Sequence, residues 1–359
     1  MDNNRSITEI KDELTITGSK DSFIEDIEIN KKLIQKRIKK GIKEEKIVVG
    51  KYTNTKVSIF YMDEICDKKL VKNIMQKLKN INIDGILDSS YLKHSLEEEQ
   101  NLFPTIMATE RPDKASMALL EGKVLILVDN SPYVLIIPTL FLDFFHTPDD
   151  YYQKAYNITI IRIIRVFAFI IAIYLPGIYL ATTTRDYYLL PKSLLLMLKA
   201  GRTYVPFPAY IEAIIMMISF EILRESDIRM SSTTSSSISI LGGLILGDAA
   251  VSAGIVSPIM IIIIAISSIA GLIFNSIEFV NTIRIYKLII LLLSTLLGIA
   301  GVLLGYIIMI QNIKNTRIFG YEYYSKKSIE KGDAIIKTNK KIKTRNSYLT
   351  KNKIRGNYK

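Results

Sequence analysis

Residues 158–182 read ITIIRIIRVFAFIIAIYLPGIYLAT, and this stretch decides the class of the protein. From Val166 to Thr184 no residue carries a charge, close to the roughly 20 residues that cross a hydrocarbon core. Arg162 and Arg165 stand three apart, hence on one helix face, where long cationic side chains reach up to headgroups. Pro176 and Gly177 predict a kink that a neighbouring helix must accommodate. Two further uncharged runs, Ile255–Ile277 and Leu288–Ile313, hold 23 and 26 residues. Val205–Leu223 reads as another span, interrupted by Glu212 near its middle and ending at Glu221. Residues 186–202 are amphipathic and suit an interfacial helix. Ile240–Val251 is apolar but too short to cross alone, so it reads as a re-entrant or broken helix. The expected fold class is a multi-pass α-helical membrane protein with about four spans over residues 158–313. A purely soluble enzyme and a disordered chain are both excluded by these runs.

Residues 1–157 differ in kind and predict a cytosolic α/β domain. Short apolar runs at Ile47–Val49, Val57–Tyr61, Ile83–Leu87, Val124–Val128 and Val134–Ile137 read as strands. Between them, Leu70, Val71, Ile74 and Leu78 recur at helical spacing behind Asp67, a good N-cap. A second helix is expected over Asp113–Glu121, bounded by Pro112 and by Gly122, which tolerates positive φ. This alternation favours a mixed or parallel sheet.

Charge is as uneven as hydropathy. The 359 residues carry a net +12 and a mean hydropathy of +0.23, yet residues 312–359 alone hold 14 Lys or Arg against Glu322, Glu330 and Asp333. A basic tail of this kind, 314–359, is expected in the cytosol. The N-terminus has no apolar signal core and is expected there too. Such a charge distribution points to membrane orientation and gives no argument for nucleic acid.

Three acids lie within apolar stretches: Glu212, Glu221 and Asp248. Intramembrane carboxylates are costly unless paired or wet, which makes them candidates to line a pore. Glu212 and Glu221, nine apart, fall on opposite faces of one helix. Glu221 has Arg224 within a turn, whereas Glu212 has no cation that near. Gly243 and Gly247 form a GxxxG, as do Gly301 and Gly305 with Gly298 beside them, and small residues of this spacing let helices approach closely. His94 and His146 show no metal-ligand spacing, Cys66 stands alone, and neither a phosphate loop nor a nucleophile elbow occurs. No cofactor is implied, and the chain does not read as an enzyme. Glu110, Arg111 and Asp113 could bind a ligand, although Asp113 as a helix cap explains much without one.

In order along the chain stand GSKDSFIEDIEIN (18–30), LIQKRIK (33–39), TKVSIFYMD (55–63), IDGILDSSYL (83–92), TERPDKASMALLEGKVLILVDNSPYVLIIP (109–138) and PDDYY (148–152). Then come VPFPAYIEA (205–213), FEILRESDIR (220–229), GDAAVSAGIVSPIM (247–260) and Ile283–Arg284. This ordered set resembles the A subunits of the GerA family of spore germination receptors, related to stage V sporulation protein AF. Family members commonly carry a further soluble subdomain before the segment matching Gly18, so residues 1–157 are expected to be an abbreviated version. Two departures stand out: Met230–Ser235 (MSSTTS) replaces a proline-rich connection, and Met217 stands where an acid is common.

The resemblance implies a multi-pass protein of the inner spore membrane, working with a transporter-like B subunit and a lipoprotein C subunit. It also implies a homo-oligomer embedded in lipid that forms a nutrient-gated ion channel. Arg162, Arg165, Glu212, Glu221, Asp248 and Arg284 fall on positions of the family pattern, with Arg284 joining the two arginines as a membrane-interface candidate. A sensor-free partner of the AF type and a non-conducting scaffold are the alternative functions.

Overall fold

A computed structural model of the chain describes residues 13, 18–97, 101–229, 243, 247–324 and 349. Short links set the sheet. Five residues join β1 (Ile42–Val49) to β2 (Thr55–Met62), too few for a crossover, so the strands double back on one another. Gly50 at φ +94° and Asn54 at φ +44° make the reversal, and the register runs from Ile42 opposite Met62 to Val49 opposite Thr55. A second short link with Asn130 at φ +67° joins β4 (Val124–Val128) to β5 (Val134–Ile137). With β3 (Met107–Thr109) the strands order as β1-β2-β4-β5-β3, and every pairing is antiparallel. The expected mixed or parallel sheet is therefore corrected: both hairpin links are too short for parallel strands, and β2–β4 and β3–β5, joined by longer connections, also pair antiparallel. Ile83–Leu87 is no strand. Its carbonyls instead accept from the β1–β2 turn, Ile83 from Lys51 N–H at 3.0 Å and Asp84 from Tyr52 N–H at 2.9 Å.

Both faces of the sheet are covered, which is why β4 is buried at all five positions and reads as a continuous apolar run. Val124, Ile126 and Val128 join a core with Leu70, Val71, Ile74 and Leu78 of α2 (Lys68–Asn80) and Leu92 and Leu96 of α3 (Ser89–Leu96). Each of the four α2 side chains contributes roughly 1.5–3 kcal/mol on burial. Asp67 caps α2 as expected, accepting from Lys69 N–H at 3.0 Å. On the other face lie α1 (Ile27–Arg37) and α4 (Pro112–Leu120), both in contact with β4. Pro112 takes the first helical position of α4, and Gly122 follows its end at φ +93°, the asymmetry that Pro and Gly favour.

The chain divides into two compact units, one of residues 1–163 with 312–359, the other of residues 164–311. In the first, residues after the bundle return to the sheet domain. A small hairpin, β6 (Arg317–Ile318) with β7 (Tyr321–Glu322), buries Ile318 in the α2 and α3 core. The ring of the fully buried Tyr323 sits 6.0 Å from those of Phe103 and Phe141.

The second unit is helical. Its elements are the greater part of α5 (Ala155–Thr184), α6 (Lys192–Ala200), α7 (Ala209–Arg229), α8 (Pro258–Gly271), α9 (Ile277–Leu297) and most of α10 (Ile299–Asn315). Tyr156–Thr184 and Ile277–Leu297 are long and apolar enough to cross a membrane, at mean hydropathies of 2.3 and 1.6. α8 and α10 are apolar but shorter. The 26-residue run Leu288–Ile313 is not one rod. It breaks at Gly298, φ +64°, and α10 folds back along α9. At Gly301 a Cβ would collide with the Leu293 carbonyl, and at Gly305 with the Ile290 side chain. Ile290 also fills the space a Cβ at Gly177 would need, 2.7 Å from its Cγ2. At the turn, Ile299 N–H donates to Asp186 Oδ2 at 2.6 Å. With Tyr174 Oη donating to Met309 Sδ at 3.7 Å, α5 and α10 run antiparallel, so the chain enters and leaves the bundle at one end.

Ser231–Ser239, half of Ile240–Val251 (240–242 and 244–246) and the basic tail beyond residue 324 lie outside the described residues, Leu349 apart. The first half of the expected re-entrant segment, Gly243 apart, and the altered Met230–Ser235 connection fall among them.

Candidate functional site: buried charges of the helical bundle

The loop after α6 reads VPFP (205–208), and its two prolines cannot continue a helix. α7 therefore starts at Ala209, and Glu212 lies in its first turn, not near a span's middle as the sequence suggested. This is where a helix dipole favours a carboxylate. Glu212 is fully buried. Its Oε1 accepts from Arg202 Nη2 at 2.8 Å, and its Oε2 accepts from both the N–H and Oγ of Ser257 at 3.0 Å. Ser257 is the N-cap of α8, followed by Pro258 at its first position. One carboxylate thus ties the end of α6 to the starts of α7 and α8. Tyr179 of α5 packs beside it among Ala209, Ala213, Val256 and Met260.

Further along α7, Glu221 accepts from Arg284 Nε at 3.1 Å and lies 3.9 Å from Arg224. These residues and Lys287 line a cavity of about 240 Å³ between α7, α8 and α9, otherwise walled by Ser267, Ser268 and apolar side chains. Lys287 is 4 % exposed. Arg284 also donates Nη1 to Asn281 at 3.0 Å, while its Nη2 is buried without a partner among the described residues.

In the sheet domain, Arg111 is buried and grips Asp113 with two parallel bonds, Nε to Oδ1 at 3.1 Å and Nη2 to Oδ2 at 2.8 Å. Its Nη2 also reaches Asp149 at 3.4 Å. Burial opposes the Arg111 charge, but attraction to Asp113 and Asp149 outweighs that and makes the guanidinium harder still to deprotonate. Asp113 is not the cap of α4; that position is Arg111, and Asp113 is the second helical residue. The next acid, Asp150, accepts from Arg162 Nε at 3.0 Å, with Arg162 wholly buried. The side chain expected to reach a membrane surface is therefore turned into the fold. Glu110 is buried beside Ser22. Arg165 is half-buried, and Asp248 lies exposed in a helical stretch, 247–252. Gly247 has open space around it, and at Gly243 a Cβ would meet only Leu223 Cδ1, at 3.9 Å, among the described residues. Cys66 is buried, and burial pushes its thiol up to about 12. Among the described residues no three His, Cys, Asp or Glu side chains converge as metal ligands would.

Sequence spacing missed Arg202, Ser257 and Lys287. Arg202 stands ten residues before Glu212, out of reach along a helix, and only the proline turn brings it back. Ser257-Pro258 carried a usable signal, a capping residue followed by proline.

Comparison with known proteins matches residues 1–348 to the family described as Bacillus/Clostridium GerA spore germination protein. Spore germination protein KA of Bacillus subtilis is 40 % identical over 323 residues, 89 % of this chain and 59 % of that protein. Spore germination protein A1 of the same organism is 33 % identical across 89 % of this chain and 67 % of its own length. The uncharacterized membrane protein YfkQ, also of Bacillus subtilis, is 37 % identical across 92 % and 65 %. The chain thus spans about three-fifths to two-thirds of these relatives. The crystallised N-terminal domain of the A subunit of the Bacillus megaterium spore germinant receptor GerK3 is 41 % identical over 33 % of this chain and 97 % of that domain, with a TM-score of 0.29.

Proposed function

Because the chain belongs to the GerA family of Bacillus and Clostridium spore germination proteins, we propose that it works as the A subunit of a germinant receptor. The observation that carries this reading is the family match over residues 1–348, a range that takes in both the sheet domain and the bundle. In this reading the bundle crosses the inner spore membrane several times with both termini in the cytosol. Copies of the chain assemble into a ring that conducts ions when transporter-like B and lipoprotein C subunits bind nutrient. Two helices of spanning length, and a chain that enters and leaves the bundle at one end, support an even number of crossings.

The acids then divide by role. Glu212, locked by Arg202 and Ser257, and Glu221, paired with Arg284, hold the wall of the conducting unit. Asp248, exposed beside Gly247 on a subunit face with open space, is the acid that lines the pore, where a ring of carboxylates favours cations. The chain performs no chemical step of its own.

The test is co-purification from membranes with B and C subunits expressed beside it. The reading expects a stable complex that holds several copies of this chain. A chain that purifies alone, or with one copy per complex, contradicts it.

A further inference from the structure

We propose that the cavity between α7, α8 and α9 binds the phosphate group of an anionic phospholipid, with Arg284 and Lys287 as its principal contacts. The inference rests on the bundle lying in a membrane and not on channel activity.

Charge balance is the first argument. Among the described residues three cations, Arg224, Arg284 and Lys287, line the cavity against one carboxylate, Glu221. That carboxylate is already engaged by Arg284 Nε at 3.1 Å. Among the described residues Arg284 Nη2 is nevertheless buried with no partner, and Lys287, 4 % exposed, makes no hydrogen bond. A buried cationic donor without an acceptor is unfavourable, and Arg284 Nη2 is one, beside the buried Lys287 on the same cavity. An oxyanion placed there would accept from Arg284 Nη2 and neutralise the lysine, a charge-assisted hydrogen bond beside a compact ammonium.

Size and polarity narrow the ligand. At about 240 Å³ the space is large for a halide or a single carboxylate. Apart from the charged groups and the two serines, its walls are apolar, including Phe220, Leu223 and Ile283. Ile269 and Leu272 on the same lining are 63 % and 60 % exposed, so an apolar rim opens outward from a cationic floor. A charged head joined to hydrocarbon chains fits this arrangement, and basic pockets between membrane helices take such headgroups.

The experiment uses the full chain in nanodiscs of phosphatidylcholine with increasing phosphatidylglycerol, reading retained lipid by native mass spectrometry. The expected result is at least about tenfold preferential retention of phosphatidylglycerol, lost in R284Q/K287Q and kept in K287R. Inorganic phosphate is the second arm: competition by it assigns the recognition to the phosphate alone, and no competition with retained preference assigns it to the whole lipid, and both support the site. Equal retention of the two lipids, or an unchanged preference in a folded R284Q/K287Q, overturns it. Should that variant fail to fold, photoactivatable phosphatidylglycerol on the unaltered chain decides. Labelling confined to residues 220–224 and 267–287 supports the site, and labelling elsewhere alone overturns it.

Discussion

The lock at Glu212 makes an asymmetric prediction. Glu212 is fully buried, whereas the Arg202 side chain keeps 22 % of its exposure. Replacing Arg202 with Gln strands a carboxylate inside the helices with only the Ser257 donors left, and breaking a buried pair from one side costs about 3–5 kcal/mol. Replacing Glu212 with Gln instead strands a guanidinium that can turn towards solvent. The amide still accepts from Ser257, so the loss is that of one charged hydrogen bond, about 1.5–3 kcal/mol. R202Q should therefore destabilise more than E212Q, and the double variant should fall short of the sum by about 1–3 kcal/mol. Unfolding by SDS in mixed micelles, followed by circular dichroism and tyrosine fluorescence in a chain that has no tryptophan, measures all three. An R202Q variant within about 0.5 kcal/mol of the parent, or an E212Q variant worse than R202Q, would refute the reasoning.

Three further outcomes follow from the same structure. Gly301→Leu, whose Cβ would meet the Leu293 carbonyl, should prise α10 from α9 at a cost of about 4 kcal/mol or more, read by the same SDS titration; a neutral result would dissolve the hairpin. Asp150→Asn removes the carboxylate 3.0 Å from the buried Arg162 and should cost about 3 kcal/mol, seen as a lower midpoint for loss of sheet signal. Cys66, its thiol held at about 12 by burial, should react with a thiolate-selective reagent at pH 8.5 roughly a thousandfold more slowly in the native chain than in the unfolded one, whose thiol sits near 8.5. Because the folded value lies above the unfolded one, native labelling should rise steadily as pH increases towards 12. Labelling at the unfolded rate would contradict the buried position.

Local signals were the legible ones. Asp67 with four apolar residues at helical spacing fixed α2, and Pro112 with Gly122 bracketed α4. The run Ile158–Thr182 gave the longest helix, extended by three residues at its start and two at its end. What failed depended on residues far apart. Ile83–Leu87 looked like a strand by composition, but the β1–β2 turn claims its carbonyls. Met107–Thr109, a strand of three residues, was too short to show a period. Alternation of elements favours a mixed or parallel sheet, but the short links force two antiparallel hairpins, and the antiparallel pairing of β2 with β4 and β3 with β5 depends on contacts far apart in sequence. Hydropathy saw Leu288–Ile313 as continuous because Gly298 is no more polar than its neighbours; only its positive φ, invisible to a hydropathy scale, turns the chain. Glu212 looked unpaired because its cation arrives through a proline turn. The sheet domain's acids were visible only as a motif, PDDYY, until the fold set Asp149 against Arg111 and Asp150 against Arg162.

The central claim, that this GerA-family chain forms the conducting subunit of a germinant receptor, is met most directly by potassium release from vesicles. The full chain would be reconstituted with B and C subunits, and release followed on adding nutrient for the parent and for Asp248→Asn. The account predicts nutrient-dependent release that falls severalfold in D248N while the complex stays assembled. Vesicles that remain tight with all three subunits assembled and nutrient present would contradict it and leave the chain a scaffold.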